Sequence, residues 1–251
     1  MPTQAIPATD LIEIFSSLQG EGTLVGYRQI FIRFPDCNLS CRYCDTDFEK
    51  KDACLIESAP GSGVLQKVPN PVSHATVSNL VNSWCNVLPG AHHSISITGG
   101  EPLLHHEALV VLLPVLRKQL PIYLETNGTL VAELDSLIDH IDWVAMDIKL
   151  HSQTGARTEW DVHRDFLKIA CRRSCYVKLV VGEGTTDLEL QLTADLVAGF
   201  GSAIPIVLQP VTRDGRIDVS IDRLMQMHAV IADIYADVRV IPQTHRFLGA
   251  L

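Results

Sequence analysis

The sequence contains no apolar run long enough to cross a bilayer. Its most hydrophobic stretch, LVVLLPVL at 109–116, is short and holds Pro114, whereas a spanning helix needs about 20 apolar residues. The first ten residues, MPTQAIPATD, lack a charged n-region and an apolar h-region, so a cytoplasmic protein without a secretory signal is expected. Positive charge is not in excess: the 251 residues carry a formal net charge of −9 with histidine neutral. That argues against a protein that grips nucleic acid through its phosphates. Repeats and low-complexity tracts are missing, and the glycines of QGEG do not follow the G-x-G-x-x-G spacing of a dinucleotide site. The chain is 47% hydrophobic and 20% charged, an ordinary globular composition of a length that suits a single domain over 1–251.

What is there is an alternation of strand-like and helix-like segments. RQIFIRF (28–34), SISIT (94–98), IYLET (122–126), WVAMDIK (143–149), CYVKLVV (175–181), PIVLQP (205–210) and VRVI (238–241) read as strands. Helical patterns fall near 74–88, 105–119, 130–140, 161–172, 187–199 and 220–235. Strands of β-branched residues alternating with amphipathic helices imply βα units and a parallel sheet. About six units are too few for an eight-stranded barrel, so the expected fold is α/β, a partial, open (β/α)6-type barrel. ACLIESAPGSGVLQKV (53–68) breaks the rhythm and predicts a hairpin-like insertion, bounded at 53–71. In parallel sheets ligands gather at the carboxyl ends of strands. There lie the 37–46 segment, TGGEP (98–102), ETNG (125–128), DIK (147–149) and QPVT (209–212).

CNLSCRYCDT (37–46) places Cys37, Cys41 and Cys44 in one loop. In a reducing compartment such bunching points to metal or catalysis rather than disulfides. Structural zinc normally takes four ligands, and only Cys54, inside the predicted hairpin, offers a fourth. A [4Fe–4S] cluster with one open iron explains three thiolates better. Cys85, Cys171 and Cys175 read as core or bystander thiols. Glu101 is a candidate acceptor for a ligand ammonium beside Gly99 and Gly100, whose missing side chains allow close backbone approach. An inward strand arginine such as Arg33 needs a partner, and a substrate carboxylate suits it. Glu125, at a strand end, can accept two parallel N–H bonds, a fit to an aminopyrimidine edge that the family resemblance below implies. His105 and His106 read as a solvated helix face, and His92 and His93 as unremarkable.

The CxxxCxxC spacing followed by GGEP resembles the radical S-adenosylmethionine (SAM) superfamily. FSSLQGEGTLVGYRQIFIRFPDCNLSCRYCDTDF (15–48), with TGGEP, ETNG, LQP and the terminal QTHRFLG, resembles the 7-carboxy-7-deazaguanine synthase family over nearly the whole chain. That resemblance implies a [4Fe–4S] cluster, SAM and Mg²⁺. In that family the methionyl amine and carboxylate of SAM chelate the open iron, and the 5′-deoxyadenosyl radical released on SAM cleavage initiates ring contraction of 6-carboxy-5,6,7,8-tetrahydropterin. It implies cluster ligation by Cys37, Cys41 and Cys44, Mg²⁺ at Thr46, with Asp45 holding a magnesium water, and substrate contacts from Leu18, Gln19, Gly20, Arg33, Thr98, Glu125, His245 and the Leu251 carboxylate. Glu21 positions the QGEG loop. SAM contacts are expected from Gly100, Thr126, Asn127, Asp147, Ile148, Lys149, Gln209, Pro210, Val211 and Thr212. A homodimer served by a flavodoxin-like or other electron donor is expected. Two residues depart from the family pattern: Arg28 where proline is frequent, and Asp36 where glycine is usual. The rivals are a glycyl-radical enzyme activating protein and a zinc-stabilised scaffold. The tail QTHRFLGAL (243–251) is expected to cross the open side of the barrel, docked by Phe247 and Leu248.

Overall fold

The computed structural model describes residues 7–42, 44, 49–201, 203–213 and 215–250. In chain order the strands are β1 (Ala8–Thr9), β2 (Glu13–Leu18), β3 (Arg28–Phe34), β4 (Ala53–Glu57), β5 (Leu65–Pro69), β6 (Val72–Ser73), β7 (Ser94–Gly99), β8 (Ile122–Thr126), β9 (Trp143–Asp147), β10 (Ser174–Val181), β11 (Ile206–Pro210), β12 (Thr212–Arg213), β13 (Arg216–Ile217) and β14 (Val238–Val240). The helices are α1 (His74–Val87), α2 (His106–Leu116), α3 (Val131–Leu137), α4 (His151–Thr154), α5 (Trp160–Ala170), α6 (Asp187–Ala198), α7 (Ile221–Ala232) and α8 (Thr244–Leu248). Ten strands form one open sheet in the order β14-β11-β10-β9-β8-β7-β3-β2-β4-β5. From β3 through β11 to β14 the pairing is parallel throughout. No helix among the described residues is long and apolar enough to cross a membrane.

The sheet separates its two faces residue by residue, because successive strand side chains point to opposite sides. Ile30, Ile32 and Phe34 of β3, Ile95 and Ile97 of β7, Val144 and Met146 of β9 and Leu179 of β10 join the main core under the helices. Helix residues spaced by three and four meet them: Val77, Val81 and Trp84 of α1, Phe166, Leu167 and Ala170 of α5, Leu224, Met227 and Ile231 of α7. Each such buried aliphatic side chain contributes about 1.5–3 kcal/mol. Ser73 and Ser220 cap α1 and α7, and Thr186 with Glu189 forms a capping box on α6. The alternate strand positions face the concave side and carry many polar residues, among them Gln29, Ser94, Ser96, Thr98, Glu125, Asp147, Lys178 and Gln209.

β2 runs antiparallel to β3, and the β4–β5 hairpin continues the sheet beyond it. The predicted insertion is therefore part of the main sheet. Buried Glu57 holds it there by accepting the N–H groups of Ser16, Gly61 and Gly63 at 2.9, 3.0 and 2.7 Å. Arg28, the departure from proline, ties Ser16 Oγ to the Pro60 carbonyl across the same hairpin, both at 2.9 Å.

The segment after β2 turns into the concave side through a 3-10 turn, Gly22–Leu24. Leu24 packs with Tyr123, Ala145, Tyr176 and Val207 in a second core inside the barrel. Gly22 is required: its φ is +62°, and a Cβ there would collide with the Tyr176 hydroxyl. From the other edge, the tail after β14 forms α8 and docks on the same segment, with the Thr244 N–H donating to Gly20 O at 2.8 Å. The tail crosses the open side as expected, but polar contacts dock it. Phe247 and Leu248 are 53% and 65% exposed.

Candidate active site

β3 delivers the chain into the cysteine loop through Asp36. At φ +60°, Asp36 is the one non-glycine residue with positive φ among those described, which gives the usual glycine at this position a steric reason. The Gly100 N–H donates to Phe34 O at 3.0 Å and the Glu101 N–H to Asp36 O at 2.8 Å. A Cβ on Gly99 would meet the Phe34 backbone, and one on Gly100 the Asp36 carbonyl. The double glycine is thus demanded by the approach of the cysteine loop's own backbone. His105 supports the turn from below, with Nε2 2.9 Å from the Pro35 carbonyl, and is not on a solvated face. His92 is also structural, buried and bonded to Ser16 Oγ at 2.9 Å.

Glu101 is fully buried. It accepts the Leu103 N–H (3.1 Å), the Thr126 hydroxyl (2.9 Å) and the Asn127 N–H (2.7 Å). Burial lifts its carboxyl to about 7 against those hydrogen bonds and the charge of Lys149. Its oxygens join the ends of β7 and β8, so it is not an open acceptor for an ammonium. Asn127 Nδ2 reaches Asn38 Oδ1 at 2.7 Å, joining the 125–128 turn to the cysteine loop. Buried His163 of α5 bonds the Gly128 carbonyl at 3.0 Å.

These elements surround a cavity of about 600 Å³, within the usual range for small-molecule sites. Cys37, Cys41 and Cys44 line it, as do Leu18, Gln19, Gly20, Arg33, Thr98, Gly100, Glu125, Thr126, Asn127, Asp147, Lys149, Gln209, Pro210, Val211, Thr212 and His245. Ile148 does not: its side chain lies in the core and its N–H donates to Lys178 O. Asp45, Thr46 and Leu251 lie outside the described residues. Cys54 is buried in the core of the hairpin side, its thiol pushed up to about 12 chiefly by burial, and is not a fourth member of the cysteine set.

On one wall Glu125 Oε1 accepts Gln19 Nε2 at 2.9 Å and, weakly, Ser96 Oγ at 3.4 Å, while Oε2 accepts Thr98 Oγ1 at 3.1 Å. Gln19 spends its second amide hydrogen on Gln29 Oε1 (2.9 Å) and its carbonyl on the Glu21 N–H (3.0 Å). Its side chain therefore braces Glu125. Arg33 pairs with Glu13 at 3.4 Å and lies over the Phe15 ring, 5.3 Å from its centroid. On the opposite wall Asp147 Oδ1, Gln209 Oε1 and Thr212 Oγ1 are buried and have no hydrogen-bond partner among the described residues. Buried polar atoms are normally satisfied, so these three suit the donors of a bound ligand.

A charged chain that sequence reasoning did not find joins the two walls. Lys178 Nζ lies 2.6 Å from Glu21 Oε2 and 3.5 Å from Asp147 Oδ2. Lys149 Nζ lies 2.9 Å from Asp147 Oδ2, and Gln243 Nε2 donates to Glu21 Oε1 at 2.8 Å. Burial pushes Glu21 up, but the Lys178 charge and hydrogen bond, with Gln243 and His245, hold it down at about 2. For Lys178 burial acts downward, yet Glu21, Asp147 and Glu125 hold its ammonium well above the usual range. The signal was present: Lys178 is an inward strand lysine in CYVKLVV, and the reasoning applied to Arg33 fits it equally.

The thiol loop fits a four-iron cluster. Burial raises the Cys37 and Cys41 thiols, and the Lys149 charge opposes this in both, so a cation stands where thiolate charge would gather. No three His, Cys, Asp or Glu side chains among the described residues converge on one point as a single ion requires. A cluster makes no such demand, because each thiolate binds a different iron.

Comparisons with known proteins give the family. The radical SAM superfamily pattern matches residues 31–197. A 7-carboxy-7-deazaguanine synthase of Geobacter sulfurreducens is 48% identical over 98% of this chain and 99% of that one. Another, from Archaeoglobus fulgidus, is 33% identical over 96% of this chain and 98% of that one. The crystal structure of QueE from Escherichia coli shares the fold, with a TM-score of 0.58 at 23% identity over 95% of both chains. The chain belongs to the radical SAM superfamily and, within it, to the 7-carboxy-7-deazaguanine synthase family.

Proposed function

We propose that the chain converts 6-carboxy-5,6,7,8-tetrahydropterin to 7-carboxy-7-deazaguanine and ammonia by radical ring contraction, a step toward queuosine and related 7-deazapurines. It is a radical SAM enzyme acting on a small molecule with a [4Fe–4S] cluster and SAM. The cluster, when bound, supplies the electron that cleaves SAM into the radical initiating the reaction. Cys37, Cys41 and Cys44 are assigned to hold it. The single observation that carries the reading is the polar concave wall, Thr98, Glu125 and Arg33, in the same cavity as the three-thiol loop.

We assign the wall around Glu125 to the aminopyrimidine edge. Among the described residues Oε2 accepts only from Thr98, and the 3.4 Å contact from Ser96 to Oε1 yields readily to a ligand N–H. Arg33 would take the substrate carboxylate, since a guanidinium fork serves two acceptors. Asp147, Gln209 and Thr212 are assigned to the amine and hydroxyl groups of SAM, with Lys149 beside its carboxylate. Residues 18–21 and the docked tail line one side of the cavity. A space of small-molecule size does not favour the activating-protein alternative, which would have to admit another chain's backbone. Mg²⁺ at Thr46, a cytoplasmic location, a homodimer and a flavodoxin-like donor are carried by the family resemblance.

Anaerobic incubation with the carboxytetrahydropterin, SAM, Mg²⁺ and a reductant tests the reading. A product with the mass of 7-carboxy-7-deazaguanine is expected. SAM cleavage without that product would remove the substrate assignment and leave the superfamily standing. Omitting Mg²⁺ should slow turnover, and an unchanged rate would remove the metal from the assignment.

A further inference from the structure

Far from the cavity, two thiols lie together. Cys171 closes α5 and Cys175 is the second residue of β10, with the turn Arg172–Arg173–Ser174 between them. The Cys175 thiol points at Cys171 with 4.0 Å between the sulfurs. Cys171 is exposed and Cys175 half-buried. Neither lines the cavity, and the cysteine loop lies at the opposite, carboxyl ends of the strands. The remaining described thiols outside that loop have no such neighbour: Cys54 is in the core and Cys85 packs against it.

We propose that Cys171 and Cys175 form a reversible dithiol–disulfide site that exchanges with small-molecule disulfides. The pair is asymmetric in the way exchange requires. The outer sulfur is open to attack a reagent, and the inner one is sheltered but close enough to resolve the adduct. The S–H···S contact favours the thiolate at Cys171 and the thiol at Cys175, in keeping with that order. The Cys171 thiolate attacks one sulfur of the disulfide and expels the first thiolate, leaving a mixed disulfide on Cys171. The expelled thiolate takes the Cys175 proton. The Cys175 thiolate then attacks Cys171 Sγ and expels the second thiolate. The second expelled thiolate takes a proton from solvent, matching the one Cys171 released on ionising, so the protein dithiol loses two electrons and two protons in all and the reagent becomes two thiols. Forming the bond requires the sulfurs to close from 4.0 Å to about 2 Å across the three residues 172–174.

The test uses the cluster-loaded enzyme under anaerobic conditions with oxidised glutathione, quenched in acid with a thiol-blocking maleimide. Trypsin cuts after Lys168, Arg172 and Arg173, so the bridge would join the peptides 169–172 and 174–178. The expected result is that linked pair, reversed by reductant, with iron content unchanged. Cys171→Ser should lose the reaction, and Cys175→Ser should accumulate a stable glutathione adduct on Cys171. Unmodified thiols in the wild-type enzyme, an adduct on Cys171 that Cys175 never displaces, or a bridge to a cysteine of the 37–44 loop would overturn the proposal. The outcome is independent of the pterin assignment, because no turnover is read.

Discussion

Replacing Lys178 by methionine should reveal how much the buried ion pair holds the Leu18–Glu21 segment in the cavity. Nζ and the Glu21 carboxylate are 2.6 Å apart, with side-chain exposures of 11% and 16%. Glu21 is lowered from 4.5 to about 2. At about 1.4 kcal/mol per unit, that difference is about 3 kcal/mol, and removing one partner of a buried pair typically costs about 3–5 kcal/mol. The sign follows from the direction of the shift. A depressed carboxyl contributes stability that is full above 4.5 and lost as pH falls from 4.5 toward 2. In Lys178→Met burial has lost its strongest opponent, so Glu21 moves up and the deficit grows as pH rises. Denaturant unfolding of the wild type, Lys178→Met, Glu21→Gln and the double variant completes the cycle. The double variant should lose at least about 2 kcal/mol less than the sum of the singles, because neither charge is then stranded. In the cluster-loaded enzyme Lys178→Met should raise the substrate KM with little loss of iron. Additive single losses, or a Lys178→Met cost below about 1 kcal/mol, would show that the ion pair does not hold the segment.

Three further outcomes follow from the same geometry. Glu101 is raised from 4.5 to about 7, so the folded state binds its proton more tightly. Relative to Glu101→Gln, the wild-type protein should lose stability as pH rises from 4.5 toward 7, by at most about 3 kcal/mol, read from denaturant midpoints. Gly100→Ala drives a methyl group into the Asp36 carbonyl and should cost about 1–3 kcal/mol. Iron retained after anaerobic reconstitution should fall with it. Asp36→Gly removes the side chain at φ +60° and should raise the thermal midpoint, whereas Asp36→Val should lower stability by about 1–2 kcal/mol.

The parallel strands were legible because their β-branched runs and the helical periodicity between them are local signals. The hairpin was legible because PGSG separates two such runs. β2 was not, since EIFSSL pairs antiparallel through contacts that only the folded sheet reveals. Motif residues converge on one cavity because strand ends converge. Reading a motif glycine or carboxylate as ligand-facing was less secure. Gly99 and Gly100 answer to the Phe34–Asp36 backbone and Glu101 to the 126–127 turn. Gln19, similarly, braces Glu125. Cys171 and Cys175 looked like bystanders because their element boundaries alone do not reveal the 4.0 Å contact. Lys178 was passed over because its neighbours in CYVKLVV are apolar, although inward placement of a lysine demands partners.

We assign the cluster to three thiolates and no fourth, leaving one iron for SAM. Iron and acid-labile sulfide should be measured after anaerobic reconstitution of seven single Cys→Ala variants. About four of each per chain are expected in the wild type and in the variants at Cys54, Cys85, Cys171 and Cys175, with loss at Cys37, Cys41 and Cys44. Loss of the cluster in Cys54→Ala, or its retention in any of the three loop variants, would overturn the three-thiolate assignment.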